Sequence, residues 1–88
     1  MPDTEILLRT DGSWIEKTPD VCGGRARIRR TRIPVWLLVE ARRIGVTDQE
    51  QLDHYGVPIT PADVQAAWAY YEQHRHEIEE TIRADREA

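Results

Sequence analysis

The chain has 88 residues, enough for one domain with a single modest core. Its one cysteine, Cys22, excludes an internal disulfide framework, and no apolar run approaches the roughly 20 residues of a membrane span. The net charge of −4 is unevenly spread: residues 1–44 carry nine Lys/Arg against six Asp/Glu, residues 45–88 three against ten, so two kinds of partner are expected, one anionic and one not. A soluble, cytoplasmic protein without a signal peptide is expected. Trp14, Trp36 and Trp68 supply large apolar bodies to a small core, and a domain of this size often gains further stability by pairing with a copy of itself.

In chain order, Glu5 to Lys17 reads as a β-hairpin. Asp11-Gly12 is a two-residue turn signal, because both residues tolerate positive φ. This turn sets Leu8 opposite Ile15 and Arg9 opposite Trp14, with Ile6, Leu8 and Ile15 on one face. Thr18-Pro19-Asp20 and Gly23-Gly24 make a loop. In Arg25-Ala26-Arg27-Ile28-Arg29-Arg30-Thr31-Arg32, period-2 alternation predicts a short strand over 25–29. Ala26 and Ile28 would point inward, and Arg25, Arg27 and Arg29 outward. Like charges on one strand face repel, so such a row suits a surface that meets anions; a charged edge guarding against aggregation reads the same way.

Pro34 opens a first helix whose apolar face is read as Leu37, Leu38, Ala41 and Ile44, with Gly45 as its C-terminal cap. Thr47-Asp48-Gln49-Glu50 is a capping box for a short helix to about His54, broken by Tyr55-Gly56-Val57-Pro58. Thr60-Pro61-Ala62-Asp63 starts a third helix that buries Val64, Ala67, Trp68 and Tyr71. No stop signal follows. Ile78 and Ile82 continue the stripe, so an amphipathic overhang is expected beyond the core, with Glu79 and Arg83 spaced for an ion pair. Two of the three helices are joined by a short turn, as in a helix-turn-helix bundle.

Residues 18–71 resemble the bacterial domain-of-unknown-function family 433, many of whose members are described as VapB-type antitoxins. The resemblance rests on Gly24-Arg25-Ala26-Arg27-Ile28-Arg29-Arg30-Thr31-Arg32-Ile33-Pro34-Val35, on Gly45-Val46-Thr47 and on Ile59-Thr60-Pro61-Ala62-Asp63-Val64. It implies a homeodomain-like fold and a genetically neighbouring PIN-like ribonuclease toxin. Ala26 stands where the pattern has proline, and Arg30 where it has a glycine. If that glycine serves a turn of positive φ, Arg30 is expected to carry the strain or to change the turn.

No His-x-x-x-His, Cys-x-x-Cys or phosphate loop is present, and His74 and His76 point to different helix faces, so no metal, cofactor or catalytic role is expected. Cys22 beside paired glycines reads as a small turn residue. The third helix would present Ala62, Gln65, Ala66, Ala69 and Gln73 outward, with Gln65 able to pair with adenine, but Asp63 and Glu72 would repel phosphates. The expected DNA-binding residues are therefore Arg25, Arg27, Arg29, Arg30, Arg32, Arg42 and Arg43, with Gln65 in support; Arg32 could instead clamp a carboxylate of its own fold. Ile78, Ile82, Arg83 and Arg86 are expected to dock on a protein partner as helical anchors.

The expected architecture is mostly α. It has a three-helix, homeodomain-like helix-turn-helix core (18–74), an N-terminal β-hairpin (1–17) and an extended C-terminal helix (75–88). The expected function is that of an antitoxin that neutralises a PIN-like ribonuclease and binds its operator DNA as a homodimer. The alternative is an interaction or dimerisation module that does not bind DNA.

Overall fold

The computed structural model describes residues 3–54 and 59–87. The expected helix break at 55–58 and the His54 side chain lie outside them. Strands β1 (Glu5–Thr10), β2 (Ser13–Lys17) and β3 (Arg27–Ile28) precede helices α1 (Val35–Arg43), α2 (Asp48–His54), α3 (Pro61–Gln73) and α4 (Arg75–Glu87). The strands form one antiparallel sheet in the order β1-β2-β3.

The Asp11-Gly12 turn fixes the hairpin register as read, with Leu8 opposite Ile15 and Arg9 opposite Trp14. Gly12 has φ +92, and a Cβ there would sit 3.3 Å from the Ala62 Cβ, so the turn both bends and abuts α3. An irregularity between Ile6 and Leu8 then shifts the pairing, so Ile6 faces Glu16. A one-residue bulge moves the following side chain to the other face, which is why Ile6 is 41% exposed rather than aligned with Leu8 and Ile15. Ile15 and its β3 partner Ile28 are fully buried against the helices.

Local signals fix most helix ends. Pro34, expected as the first helical residue, is instead the extended N-cap of α1, so the helix starts one residue later, at Val35. At the other end Gly45 takes φ +96, with Gly45 N–H donating to the Arg42 carbonyl and Val46 N–H to the Ala41 carbonyl, which is a Schellman cap. Both capping boxes form. Thr47 and Glu50 exchange backbone-to-side-chain bonds at 3.0 and 3.1 Å, and Thr60 and Asp63 do so at 2.8 and 3.3 Å.

Tertiary packing overturns two helix readings. The buried face of α1 is Val35, Leu38 and Val39, while Leu37 and Ala41 are half-buried and Ile44 is 73% exposed. The expected overhang does not form. The third helix stops at Gln73, His74 leaves helical geometry (φ −133, ψ 42), and α4 turns back onto α1. Ile78 and Ile82, expected as exposed anchors, are 3% and 2% exposed within the core. No glycine or proline marks this break; burial and bonding compensate for it. The His74 ring stacks on Tyr70 at 4.2 Å, and the Tyr70 hydroxyl donates to Glu77 at 2.8 Å. Arg43 of α1 pairs with Glu79 of α4, and Arg86 with Glu40 at 3.0 Å. The hairpin, the central helices and α4 thus share one core, joined by Ile15, Leu38, Tyr70 and Ile78.

Burying each isoleucine contributes about 1.5–3 kcal/mol. Ile78→Ala or Ile82→Ala should therefore cost about 2–5 kcal/mol in urea denaturation, and removal of residues 75–87 should abolish cooperative unfolding. Hydrogen bonds from Arg43 and then Tyr71 hold the Glu79 carboxyl down to about 2, from an ordinary 4.5. A depressed folded-state value means that this bridge stabilises fully above the ordinary value and is lost as pH falls towards 2. The wild-type melting temperature should drop across that window more steeply than that of Glu79→Gln.

Candidate nucleic-acid interface

The arginine run divides by what each guanidinium meets. Arg27 does point to the sheet face opposite Ile28, but that face is closed by its cross-strand neighbour Glu16 and by Thr18. Its Nη2 donates to Glu16 Oε2 at 3.0 Å and to Thr18 Oγ1 at 2.9 Å, and its Nε to the Thr31 carbonyl at 2.9 Å. The residue is 6% exposed. Arg29 falls just past the strand, with φ +40, which sends its side chain towards α3. There it forks onto Asp63, Nε to Oδ1 and Nη2 to Oδ2, both at 2.7 Å. The expected outward row of Arg25, Arg27 and Arg29 is thus corrected: only Arg25 is exposed, because the other two meet carboxylates of the fold. The left-handed residue of the turn is Arg29 rather than Arg30.

Asp63, expected outward as a repellent of phosphates, is fully buried and also accepts the Ser13 hydroxyl at 2.6 Å. Burial pushes its carboxyl up, but hydrogen bonds from Arg29, Ser13 and the Thr60 backbone outweigh that and leave it below its ordinary value. Ala66, also expected outward, is fully buried. The exposed strip of α3 retains Gln65, Glu72 and Gln73, with no cation.

Arg9, Arg25, Arg30 and Arg32 are exposed and have no ion pair among the described residues. Arg9 lies opposite Trp14, and Trp14 and Arg30 line a hollow of about 410 Å³ with Thr4, Ile6, Glu16 and Arg27. The half-buried Trp14 indole N–H donates to Glu16 Oε1 at 2.8 Å, and Arg27 Nη1, buried, has no partner among the described residues. Arg25 and Arg32 flank the 3-10 turn at Cys22–Gly24; the Arg25 N–H donates to the Cys22 carbonyl at 3.2 Å and the Cys22 thiol to the Arg32 carbonyl at 3.4 Å. This cationic sheet face adds Arg9 and Trp14 to the expected set. Their signal was the hairpin register, which already paired them.

The other expected site residues serve the fold. Arg42 pairs with Asp48 at 3.8 Å and covers the Trp68 ring at 4.7 Å. Arg43 bridges Glu79 and the Tyr71 hydroxyl. Arg83 pairs with Glu80 and Glu87 rather than with Glu79, and Arg86 with Glu40. Gln65 is exposed on α3, a helix that carries no Lys or Arg. Among the described residues no cluster of His, Cys, Asp and Glu could hold a metal ion.

A single run of arginines should therefore give divided results. Arg27→Ala strands the buried Glu16 carboxylate and should cost about 3–5 kcal/mol in urea denaturation, whereas Arg25→Ala should change stability by less than about 0.5 kcal/mol. Equal effects at the two positions would contradict this division.

No helix among the described residues is long and apolar enough to cross a membrane. Proteins of curated function yield no match to this chain. The chain is similar to a solved structure, that of a DUF433 member protein from Anabaena variabilis, at 53% identity and a TM-score of 0.73. The likeness covers 77% of this chain and 66% of that one, so this chain spans just under two thirds of that neighbour. The family profile described as "Protein of unknown function (DUF433)" matches residues 15–71, from β2 through most of α3. The chain belongs to the DUF433 family.

Proposed function

We propose that this protein is a non-enzymatic, antitoxin-type module that binds the backbone of its operator DNA through the cationic face of its sheet. One observation carries the reading. Arg9, Arg25, Arg30 and Arg32 are held by no carboxylate among the described residues, while every other described Lys or Arg except Arg75 is tied into an ion pair. Arg75 instead lies over the Tyr71 ring. Exposed cations without internal partners can neutralise phosphates at no cost to the fold.

In this reading α1–α3 is a homeodomain-like helix-turn-helix unit used in an unusual way. The sheet packs across α3, whose remaining exposed strip has no cation to approach phosphates, so the arginines give affinity and base readout is weak. Two copies would bind together, which multiplies weak contacts. The partner to be neutralised is a PIN-like ribonuclease. Its docking surface is not the α4 stripe, because Ile78 and Ile82 are core residues. A protein-interaction module without DNA binding is the second reading, favoured by the exposed Ile44 on α1.

Fluorescence anisotropy with the DNA upstream of the gene separates the two readings. Each neutralised phosphate adds about 0.9 to the slope of log affinity against log salt, so changing all four free arginines to Ala should flatten the slope by about 3 to 4 units without loss of fold. Undetectable wild-type binding at low salt would sink the DNA reading and leave the second.

A further inference from the structure

We infer that the groove between α1 and α2 is a docking site for a cationic amphipathic helix of another protein. Its floor is Leu37 and Ala41 of α1 and Ile44 at its C-cap, a row at helical spacing continued by Val46. This row is apolar and faces away from the Val35–Leu38–Val39 core side. Ile44 is 73% exposed, the most exposed large hydrophobic side chain among the described residues. The hollow holds about 550 Å³, room for apolar side chains of a docking segment.

The walls say what covers it. On the α2 side stand Glu50, Gln51 and Asp53. Glu50 accepts the Thr47 N–H and Asp53 the Gln49 amide, but neither carboxylate has a cationic partner among the described residues. Asp48, on the same helix, is already held by Arg42. Gln51 is 1% exposed; its Nε2 donates to the Leu38 carbonyl at 3.3 Å, and its Oε1 has no partner among the described residues. An apolar floor beside two unneutralised carboxylates fits a helix with apolar anchors one turn apart, flanked by Lys or Arg.

Other occupants fit less well. A second copy joined by a twofold axis through the groove would bring the Glu50 and Asp53 carboxylates of both copies close together, like charge near like. The stripe on α4 that could have filled the groove is already spent in the core, at Ile78 and Ile82. Nucleic acid would meet the same carboxylates. The inference is independent of the nucleic-acid reading, since none of these residues belongs to the cationic sheet face.

The test uses the full chain, labelled for amide NMR, and two helical peptides of about 18 residues, long enough to hold a helix. Both carry Leu at i, i+4 and i+7, and their remaining exposed positions are Lys in one and Glu in the other. The Lys peptide should shift the amides of Leu37, Ala41, Ile44 and Val46, and the Glu peptide should not. Ile44→Lys and Asp53→Lys, both exposed positions, should each weaken binding about tenfold or more while the spectrum elsewhere stays native. Three outcomes would overturn the inference: shifts confined to another surface, equal binding of both peptides, or affinity unchanged in both variants. Concentration-dependent self-association that Ile44→Lys abolishes would also overturn it, by making a second copy the occupant.

Discussion

The fold turns on one buried carboxylate. Asp63 is fully buried, where an unpartnered charge would cost several kcal/mol, and three separate parts of the chain satisfy it. The Thr60 backbone N–H donates to it as part of the α3 capping box, the Ser13 hydroxyl reaches it from β2, and Arg29 grips it from the turn after β3. Through that residue the start of α3 is fixed against the sheet. The same grip accounts for Arg29 at φ +40, a conformation that non-glycine residues adopt only when something compensates. It also removes Arg29 from the set of cations available to a ligand.

The same logic sorts the rest of the charge. A cation becomes part of the fold when the topology brings a carboxylate within reach, as Glu16 comes to Arg27 across β2–β3 and Glu79 to Arg43 across α1–α4. Of the arginines left over, Arg30 lines the hollow beside Trp14, and Arg9 lies opposite Trp14 in the hairpin. Two of the carboxylates left over, Glu50 and Asp53, line the α1–α2 groove. The proposed anionic and cationic partners thus address different faces, so both could be engaged at once.

Features that depend on neighbours in sequence were legible. The Asp11-Gly12 hairpin, the Thr47–Glu50 and Thr60–Asp63 capping boxes and the Gly45 cap all formed, because each is decided within about four residues. Features decided by distant packing were not. Helix α1 is apolar on two sides, so spacing alone could not choose between Leu37–Ala41–Ile44 and Val35–Leu38–Val39; the packing of α3 and α4 chose. The break at His74 carries no local signal, since it follows from the burial of Ile78 and Ile82 on α1. In the candidate site, alternation placed Arg27 on the correct side of its strand but could not reveal that Glu16 and Thr18 close that side. Trp14 and Arg9 were legible as a pair, and their role in the cationic face became visible only when Arg30 joined Trp14 at one hollow.

The most direct test of this account is a double-mutant cycle on Arg29 and Asp63. Urea denaturation of Arg29→Gln, Asp63→Asn and the double variant measures the coupling free of their separate effects. If Asp63 joins the sheet to α3 through Arg29, the coupling should be about 1.5–3 kcal/mol, and each single variant should cost nearly as much as both together. Additive effects, with coupling below about 0.5 kcal/mol, would mean that Arg29 does not brace the fold and would contradict the account.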